Sequence, residues 1–229
     1  MRLSQLSEDP TNIDFDQAKQ LVDAFLDAGF NYFDTSFVYH NGYSENVIKK
    51  SLVERRPRDC YRLASKLTVF SIQKKEEVVQ IFNQQLETVV LNILIISYYT
   101  IRIFIITIAL LKAVKCLNIC KKKKAELNIF HDSAGVLDLI LNEHLEIETV
   151  QIALNYCDWN STFIQAKACY EVIQKQIIIM GGLLTNPPKN SDLTTDASLA
   201  LRFCGELDGI IAILSGMSNL IQIKKILIV

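Results

Sequence analysis

Short apolar segments alternate with amphipathic helical patterns along most of this 229-residue chain. Apolar segments begin near residues 30, 61, 92, 127, 150, 177 and 210, and most of the intervening stretches place apolar side chains at helical spacing. Strands that recur about every thirty residues with a helix between them are typical of parallel βα units. The pattern therefore predicts an α/β fold, an incomplete (β/α)8 TIM barrel that lacks its first strand and its C-terminal helix or extension.

Composition predicts one domain over residues 1–229 and argues against a nucleic-acid-binding protein. The chain is 50% hydrophobic with a net charge of -1, so it can bury a core but has no basic field for nucleic acid. No signal peptide follows Met1, and the six cysteines form no CxxC pair, which favours free thiols in a reducing cytoplasm and no metal site. A small-molecule partner is expected, and the oligomeric state is left open.

Two helix boundaries can be predicted from single residues. A helical face that contains Ala18, Leu21 and Phe25 is followed by Gly29, at the position where a left-handed residue commonly ends a helix. Ser44 precedes the acidic Glu45, so we expect Ser44 to cap a second helix that begins at Glu45. Both boundaries flank the segment FDTSFVY, residues 33–39.

Three polar residues around this segment could move a proton onto a carbonyl group. Asp34 ends the first predicted strand, Tyr39 follows five positions later, and Lys66 ends the next strand in the triplet SKL. Taken singly, the tyrosine could be a packing residue, the lysine a solvated one and the aspartate a turn residue. Taken together, their spacing favours a shared site at the carboxyl edge of a parallel sheet.

These residues, in the contexts FDTSFVYHNGYSE and ASKL, resemble the aldo-keto reductases, and most closely the bacterial branch that often carries an iron-sulfur segment. The resemblance extends to FHDS at residues 130–133, VQIALNY at 150–156, GGLLTNPP at 181–188 and SGMSN at 215–219. It implies a barrel enzyme that transfers hydride from NADPH to an aldehyde or ketone. It covers most of the chain except residues 89–124.

The resemblance also implies a role for each matched residue. Tyr39 would donate the proton, and Lys66, paired with Asp34, would lower the phenol pKa from about 10 by stabilising the phenolate. Gln151 would hold the nicotinamide carboxamide, whereas His40 and His131 are expected to be structural. The cofactor phosphates would be bound by the turns that contain Gly181, Gly182, Leu183, Ser215, Gly216, Met217, Ser218 and Asn219.

Residues 89–124 depart from the family pattern in two ways. The family's fourth catalytic residue is a histidine that ends the fourth barrel strand, and Thr100 stands at that position. The stretch has no acidic residue, and Leu91–Leu111 is apolar for about the length of a membrane span. A membrane helix is disfavoured by Arg102 and by the flanking βα units, which such a helix would separate.

One hypothesis is that residues 89–124 are an out-of-frame translation. Leu91–Thr100, written with A/T-rich codons and read in a shifted frame, can yield EYLDYFLLH, a good fourth strand with its histidine. The alternative is a diverged, strongly buried strand and helix, since parallel strands tolerate apolar residues on both faces. The chain is then either an impaired reductase or a non-catalytic remnant of one, and resequencing of the gene would test the frame.

Overall fold

A computed structural model describes residues 13–68, 75–89, 93–97, 126–130, 133–143, 147–157, 159–162, 165–174, 178–181 and 197–227. These residues contain seven strands: β1 Tyr32–Asp34, β2 Arg62–Thr68, β3 Ile93–Ser97, β4 Glu126–Phe130, β5 Thr149–Ile152, β6 Ile178–Gly181 and β7 Ile210–Ile213. They also contain seven α-helices: α1 Phe15–Asp27, α2 Ser44–Ile48, α3 Lys75–Val89, α4 Ala134–Glu143, α5 Ala166–Ile173, α6 Ala197–Gly205 and α7 Leu220–Leu227.

The seven strands form one sheet in which every strand is parallel to the next strand of the sequence. A sheet whose strand order follows the chain order is the topology of a βα barrel, because each crossover returns the chain to the neighbouring position. Helices α1 and α7 contact each other, so the first and last described helices meet around the ring. All seven predicted strand positions are confirmed to within two residues.

Helix α1 shows why the sequence places a boundary where it does. The Asp14 carboxylate accepts hydrogen bonds from the backbone N–H groups of Asp16 and Gln17, both at 2.9 Å, and so caps the first turn. At the other end, Gly29 has a φ of 85°, in the left-handed region that a side chain disfavours. The prediction that the chain leaves this helix at Gly29 is confirmed.

The predicted cap at Ser44 is wrong. Tyr43 already has helical backbone angles, and helix α2 begins at Ser44 without any side-chain cap. The Ser44 hydroxyl instead lies 2.8 Å from the hydroxyl of Thr35, in a buried contact with the loop after β1. A tertiary hydrogen bond therefore takes the place of the local one, and a π-helical turn over Lys49–Val53 continues α2.

The core lies between the sheet and the helices that surround it. The rings of Phe25 and Phe33 meet edge to face at 5.2 Å and join α1 to β1. Outside this core, Arg55 and Arg56 both pair with Asp23 of α1, at 2.7 Å each. The largest fully buried side chains are Phe33, Phe82, Leu21, Ile48, Leu52 and Leu63.

Part of the unusual stretch is ordered into the sheet, because β3 lies between β2 and β4 and is parallel to both. Within the described residues, no helix has both the length and the apolar character that a membrane crossing requires. The proposed change of reading frame stays a prediction. Several positions named above lie outside the described residues: Met1, Gly182, Leu183, Thr100, Arg102 and His131.

Candidate active site

The first two strands deliver the predicted proton-donor residues to one edge of the sheet. Asp34 pairs in register with Ala64, and Thr35, the first residue after β1, donates its backbone N–H to the Ala64 carbonyl at 2.9 Å. Lys66 lies two residues beyond Ala64, on the same face of β2 because side chains alternate along a strand. The register thus places the lysine beside the carboxyl end of β1.

A buried ion pair joins the two side chains. The Lys66 ammonium donates one hydrogen bond to an Asp34 carboxylate oxygen and another to the Thr35 carbonyl oxygen at 3.2 Å. Lys66 is 3% exposed and Asp34 1% exposed. Because a single charge at such a depth would be strongly destabilising, the pairing stabilises both side chains in this position.

Tyr39 is the third member of the cluster. The Lys66 Nζ atom lies 5.1 Å from the centroid of the Tyr39 ring, within the range of an attractive cation–π contact. A cation at this distance also stabilises negative charge on the phenol oxygen. The structure therefore brings Asp34, Lys66 and Tyr39 into one group, while Tyr39 itself is only half-buried.

A left-handed turn follows Tyr39 directly. The Tyr39 backbone N–H donates to the Ser36 carbonyl at 3.1 Å, and then His40 and Asn41 have φ angles of 51° and 52°. Non-glycine residues in this region cost about 1 kcal/mol each, so the turn holds local strain beside the tyrosine. Burial lowers the pKa of His40, which favours its neutral imidazole.

A second buried cluster, which the sequence did not predict, lies on the face of β2 opposite Lys66. Glu45 of α2 accepts hydrogen bonds from the Ser65 hydroxyl at 2.5 Å and from the Gln85 amide at 2.7 Å. Burial raises the pKa of Glu45, and these two hydrogen bonds oppose that shift. A signal was present in the sequence, because Glu45 falls three residues before Ile48 on the apolar face of its helix.

Gln151 lies on β5, in register with Phe130 of β4 and with Met180 of β6. Its side chain is buried, and its Oε1 atom has no hydrogen-bond partner among the described residues. A buried carbonyl oxygen of this kind fits a ligand that donates an amide N–H. The expected contact with a nicotinamide carboxamide is therefore chemically compatible with Gln151.

The turn at residues 215–219 combines buried and capping residues. Ser215 and Met217 are buried, whereas the Asn219 side chain caps α7 by accepting the Gln222 backbone N–H at 2.9 Å. The Gln222 side chain in turn accepts the Ser218 backbone N–H at 2.7 Å. A phosphate bound to the Ser218 N–H would have to replace that internal contact.

The predicted site residues thus fall into two groups. Lys66 contacts both Asp34 and Tyr39, whereas the cofactor residues that the structure describes, Gln151, Gly181 and residues 215–219, lie on later strands and in a later turn. Gly181 ends β6 in register with Ile152 and Ile213, so it reaches the carboxyl edge of the sheet that Asp34 also reaches.

Comparison with known proteins places this arrangement in a family. The family model described as the aldo/keto reductase family matches residues 3–183. No curated protein sequence is similar enough to count as a relative.

Solved structures of the same family share the fold. An aldo-keto reductase of Bacillus halodurans in its holo form has a TM-score of 0.71 and 19% identity, with 99% of this chain and 84% of that one covered. An aldo-keto reductase of Klebsiella pneumoniae in complex with NADPH has a TM-score of 0.67 and 16% identity, with coverages of 93% and 79%. One from Brucella melitensis has a TM-score of 0.67 and 18% identity, with coverages of 98% and 85%.

Proposed function

The chain belongs to the aldo/keto reductase family, and from this premise we propose that it reduces an aldehyde or ketone with NADPH. Tyr39 is the proton donor, Lys66 is the cation that stabilises its phenolate, and Asp34 holds Lys66 in place. The observation that carries the proposal is the position of one buried ammonium, bonded to Asp34 and 5.1 Å from the Tyr39 ring.

The chemistry of these residues follows from charge. As a carbonyl group is reduced, its oxygen gains negative charge, and Tyr39 donates its proton to that oxygen. The phenolate left on Tyr39 is stabilised by the Lys66 ammonium, since the low-dielectric surroundings of a buried cation strengthen the attraction. Asp34 holds the Lys66 ammonium in place, because the two opposite charges are in direct contact.

The later strands would hold the cofactor. When bound, NADPH supplies the hydride that the carbonyl carbon receives. Gln151 supports this role because its buried Oε1 atom has no partner among the described residues and could accept a hydrogen bond from an amide. The relative from Klebsiella pneumoniae that shares the fold was solved with NADPH, which favours NADPH over NADH as the first cofactor to test.

The rate is expected to be reduced, because Thr100 stands where the family places a histidine. A threonine hydroxyl cannot supply the imidazole donor to the carbonyl oxygen, and one positioned acid–base group typically contributes about 10²–10⁴-fold to a rate. The second candidate is a non-catalytic remnant of a reductase, and the same Thr100 is the observation that favours it. Activity in the Thr100→His variant distinguishes an assembled but impaired site from a remnant.

The test measures the oxidation of NADPH by the purified wild-type protein in the presence of a panel of aliphatic and aromatic aldehydes and ketones. We expect slow turnover that Tyr39→Phe lowers by about 10²-fold or more, because the proton donor is lost. The Tyr43→Phe variant is the matched control, since Tyr43 is an exposed phenol four residues further along the chain.

Three outcomes separate the candidates. Equal rates for the wild type and Tyr39→Phe would overturn the role of Tyr39. Binding of NADPH without turnover, followed by turnover in Thr100→His, would support the barrel site and assign the defect to the missing histidine. Absence of NADPH binding in both proteins would favour the remnant.

A further inference from the structure

The first two residues of α2 contact the two chain segments that carry Asp34 and Lys66. The Ser44 hydroxyl lies 2.8 Å from the hydroxyl of Thr35, the residue directly after Asp34. The neighbouring Glu45 side chain accepts a hydrogen bond from Ser65, the residue directly before Lys66. One short helix end is therefore bonded to the immediate neighbours of both members of the ion pair.

A third element joins the same contacts. The Gln85 amide of α3 donates to Glu45 at 2.7 Å and also lies 3.0 Å from the Ser65 hydroxyl oxygen. The same amide nitrogen is 3.3 Å from the backbone carbonyl oxygen of Lys66. That carbonyl also accepts the backbone N–H of Phe37 at 3.4 Å, from the loop that carries the tyrosine.

These contacts are strong constraints because the side chains that make them are buried. Glu45 is 5% exposed, and Ser65 and Gln85 are fully buried. Water cannot replace a hydrogen bond lost at such depth, so the three side chains constrain one another strongly. Because Ser65 and Lys66 alternate across β2, a shift of Ser65 toward the helices moves Lys66 on the opposite face.

We propose that Glu45 is a positioning residue for Lys66. Its hydrogen bonds with Ser65 and Gln85, on the face of β2 opposite Lys66, fix the Lys66 ammonium beside Asp34 and Tyr39. The proposal rests on the proposed function, because it assigns to Glu45 a part in the same proton transfer. Glu45 acts here as a hydrogen-bond acceptor, so an uncharged acceptor of the same shape can take its place. Ser44 has the corresponding role for the Asp34 segment, through its contact with the Thr35 hydroxyl.

The experiment compares Glu45→Leu, which removes the acceptor, with Glu45→Gln, which keeps it. We expect Glu45→Leu to lower kcat about tenfold or more with the KM for NADPH nearly unchanged, since small misplacements of catalytic groups have effects of this size. Glu45→Gln should retain most of the wild-type kcat. Ser51→Ala is the control for disturbed packing, because Ser51 is a fully buried serine near α2 whose hydroxyl has no partner among the described residues.

A second readout does not depend on turnover. Carbon-13 labelling of the tyrosine rings, with Tyr39→Phe to assign the signal, follows the ionisation of Tyr39 by NMR. In Glu45→Leu the Tyr39 phenol should ionise at higher pH, because Lys66 no longer lies in its stabilising position. Glu45→Gln and Ser51→Ala should titrate as the wild type does.

The outcomes distinguish the two proposals. If wild-type protein shows no turnover but Glu45→Leu still shifts the Tyr39 titration, the positioning role stands and the proposed reaction fails. If Glu45→Leu keeps both the kcat and the titration of the wild type, the positioning role is overturned, even where the unfolding temperature falls. Should Glu45→Leu not fold, Gln85→Met removes the contacts to Glu45 and to the Lys66 carbonyl and is judged by the same two readouts.

Discussion

The two halves of the carboxyl edge differ in how their polar groups are satisfied. In the proton-donor half, the Lys66 ammonium is bonded to Asp34 and Thr35 and lies beside Tyr39. In the cofactor half, the buried Oε1 atom of Gln151 has no partner within the part of the chain that the structure describes. One half is organised by its own contacts, and the other presents an acceptor that fits an external donor.

This difference separates two ways of building a site. A charge buried on the proton-donor side is stabilised by residues of the chain itself, so its geometry is set before any ligand arrives. An acceptor without a partner lowers stability until a ligand bonds to it, and it then adds to affinity. Replacement of Lys66 and replacement of Gln151 by apolar residues should therefore change stability in opposite directions.

The largest effect is expected for Lys66→Met. Removal of the cation leaves the Asp34 carboxyl group buried without its partner, and breaking a buried pair in this way typically costs about 3–5 kcal/mol of unfolding free energy. Urea unfolding followed by circular dichroism measures the change. The double variant Lys66→Met with Asp34→Leu should recover much of the loss, and equal stability of Lys66→Met and wild type would contradict a buried ion pair.

A change of opposite sign is expected for Gln151→Leu. Without ligand the variant should be more stable than the wild type by about 1 kcal/mol, because an unpartnered buried acceptor has been replaced by an apolar group. Its dissociation constant for NADPH should rise about tenfold, since one hydrogen bond to the cofactor is lost. Thermal unfolding with and without NADPH measures both effects, and a loss of stability without ligand would break the contrast between the two halves.

Glu45 predicts a pH dependence of stability. Burial raises the pKa of Glu45 above 4.5, so between that pH and its higher native value the folded protein binds more protons than the unfolded chain. The free energy of unfolding should therefore decrease as pH rises through this window and then level off. Wild type compared with Glu45→Gln in urea at several pH values isolates the effect, and parallel curves would show that Glu45 does not titrate there.

The smallest effect is expected at the end of the cofactor half. Asn219→Ala removes the side chain that caps α7 and should lower the free energy of unfolding by about 1 kcal/mol. The exposed Ile221→Ala variant in the first turn of the same helix serves as a control, because it leaves the cap intact. If Asn219→Ala weakens NADPH binding without altering stability, the asparagine belongs to the cofactor site and not to the cap.

The strand positions could be predicted because parallel strands buried on both faces are nearly continuous apolar runs between polar loops. The end of α1 at Gly29 could also be predicted from the sequence, since a single residue determines it. The cap at Ser44 was predicted wrongly because its hydroxyl bonds to Thr35, nine residues away in sequence but close in the fold. Local propensity carries no information about a partner that only the tertiary structure supplies.

The same reason explains what the sequence reveals about the site. Asp34, Tyr39 and Lys66 could be grouped because strand ends meet at one edge of a parallel sheet. The cluster of Glu45, Ser65 and Gln85 joins three elements through side chains that look like ordinary helix and strand residues. The left-handed turn at His40 and Asn41 is equally hidden, since neither residue requires that conformation.

Proton donation by Tyr39 is the step on which the proposed reduction of a carbonyl group with NADPH depends. Its most direct test is deuterium transfer from NADPH labelled at the reactive carbon, with the alcohol product analysed by mass spectrometry. Wild-type protein should place one deuterium on the carbinol carbon, and Tyr39→Phe at the same concentration should give far less labelled product. Labelled product formed equally by both proteins, or alcohol formed without the label, would contradict it.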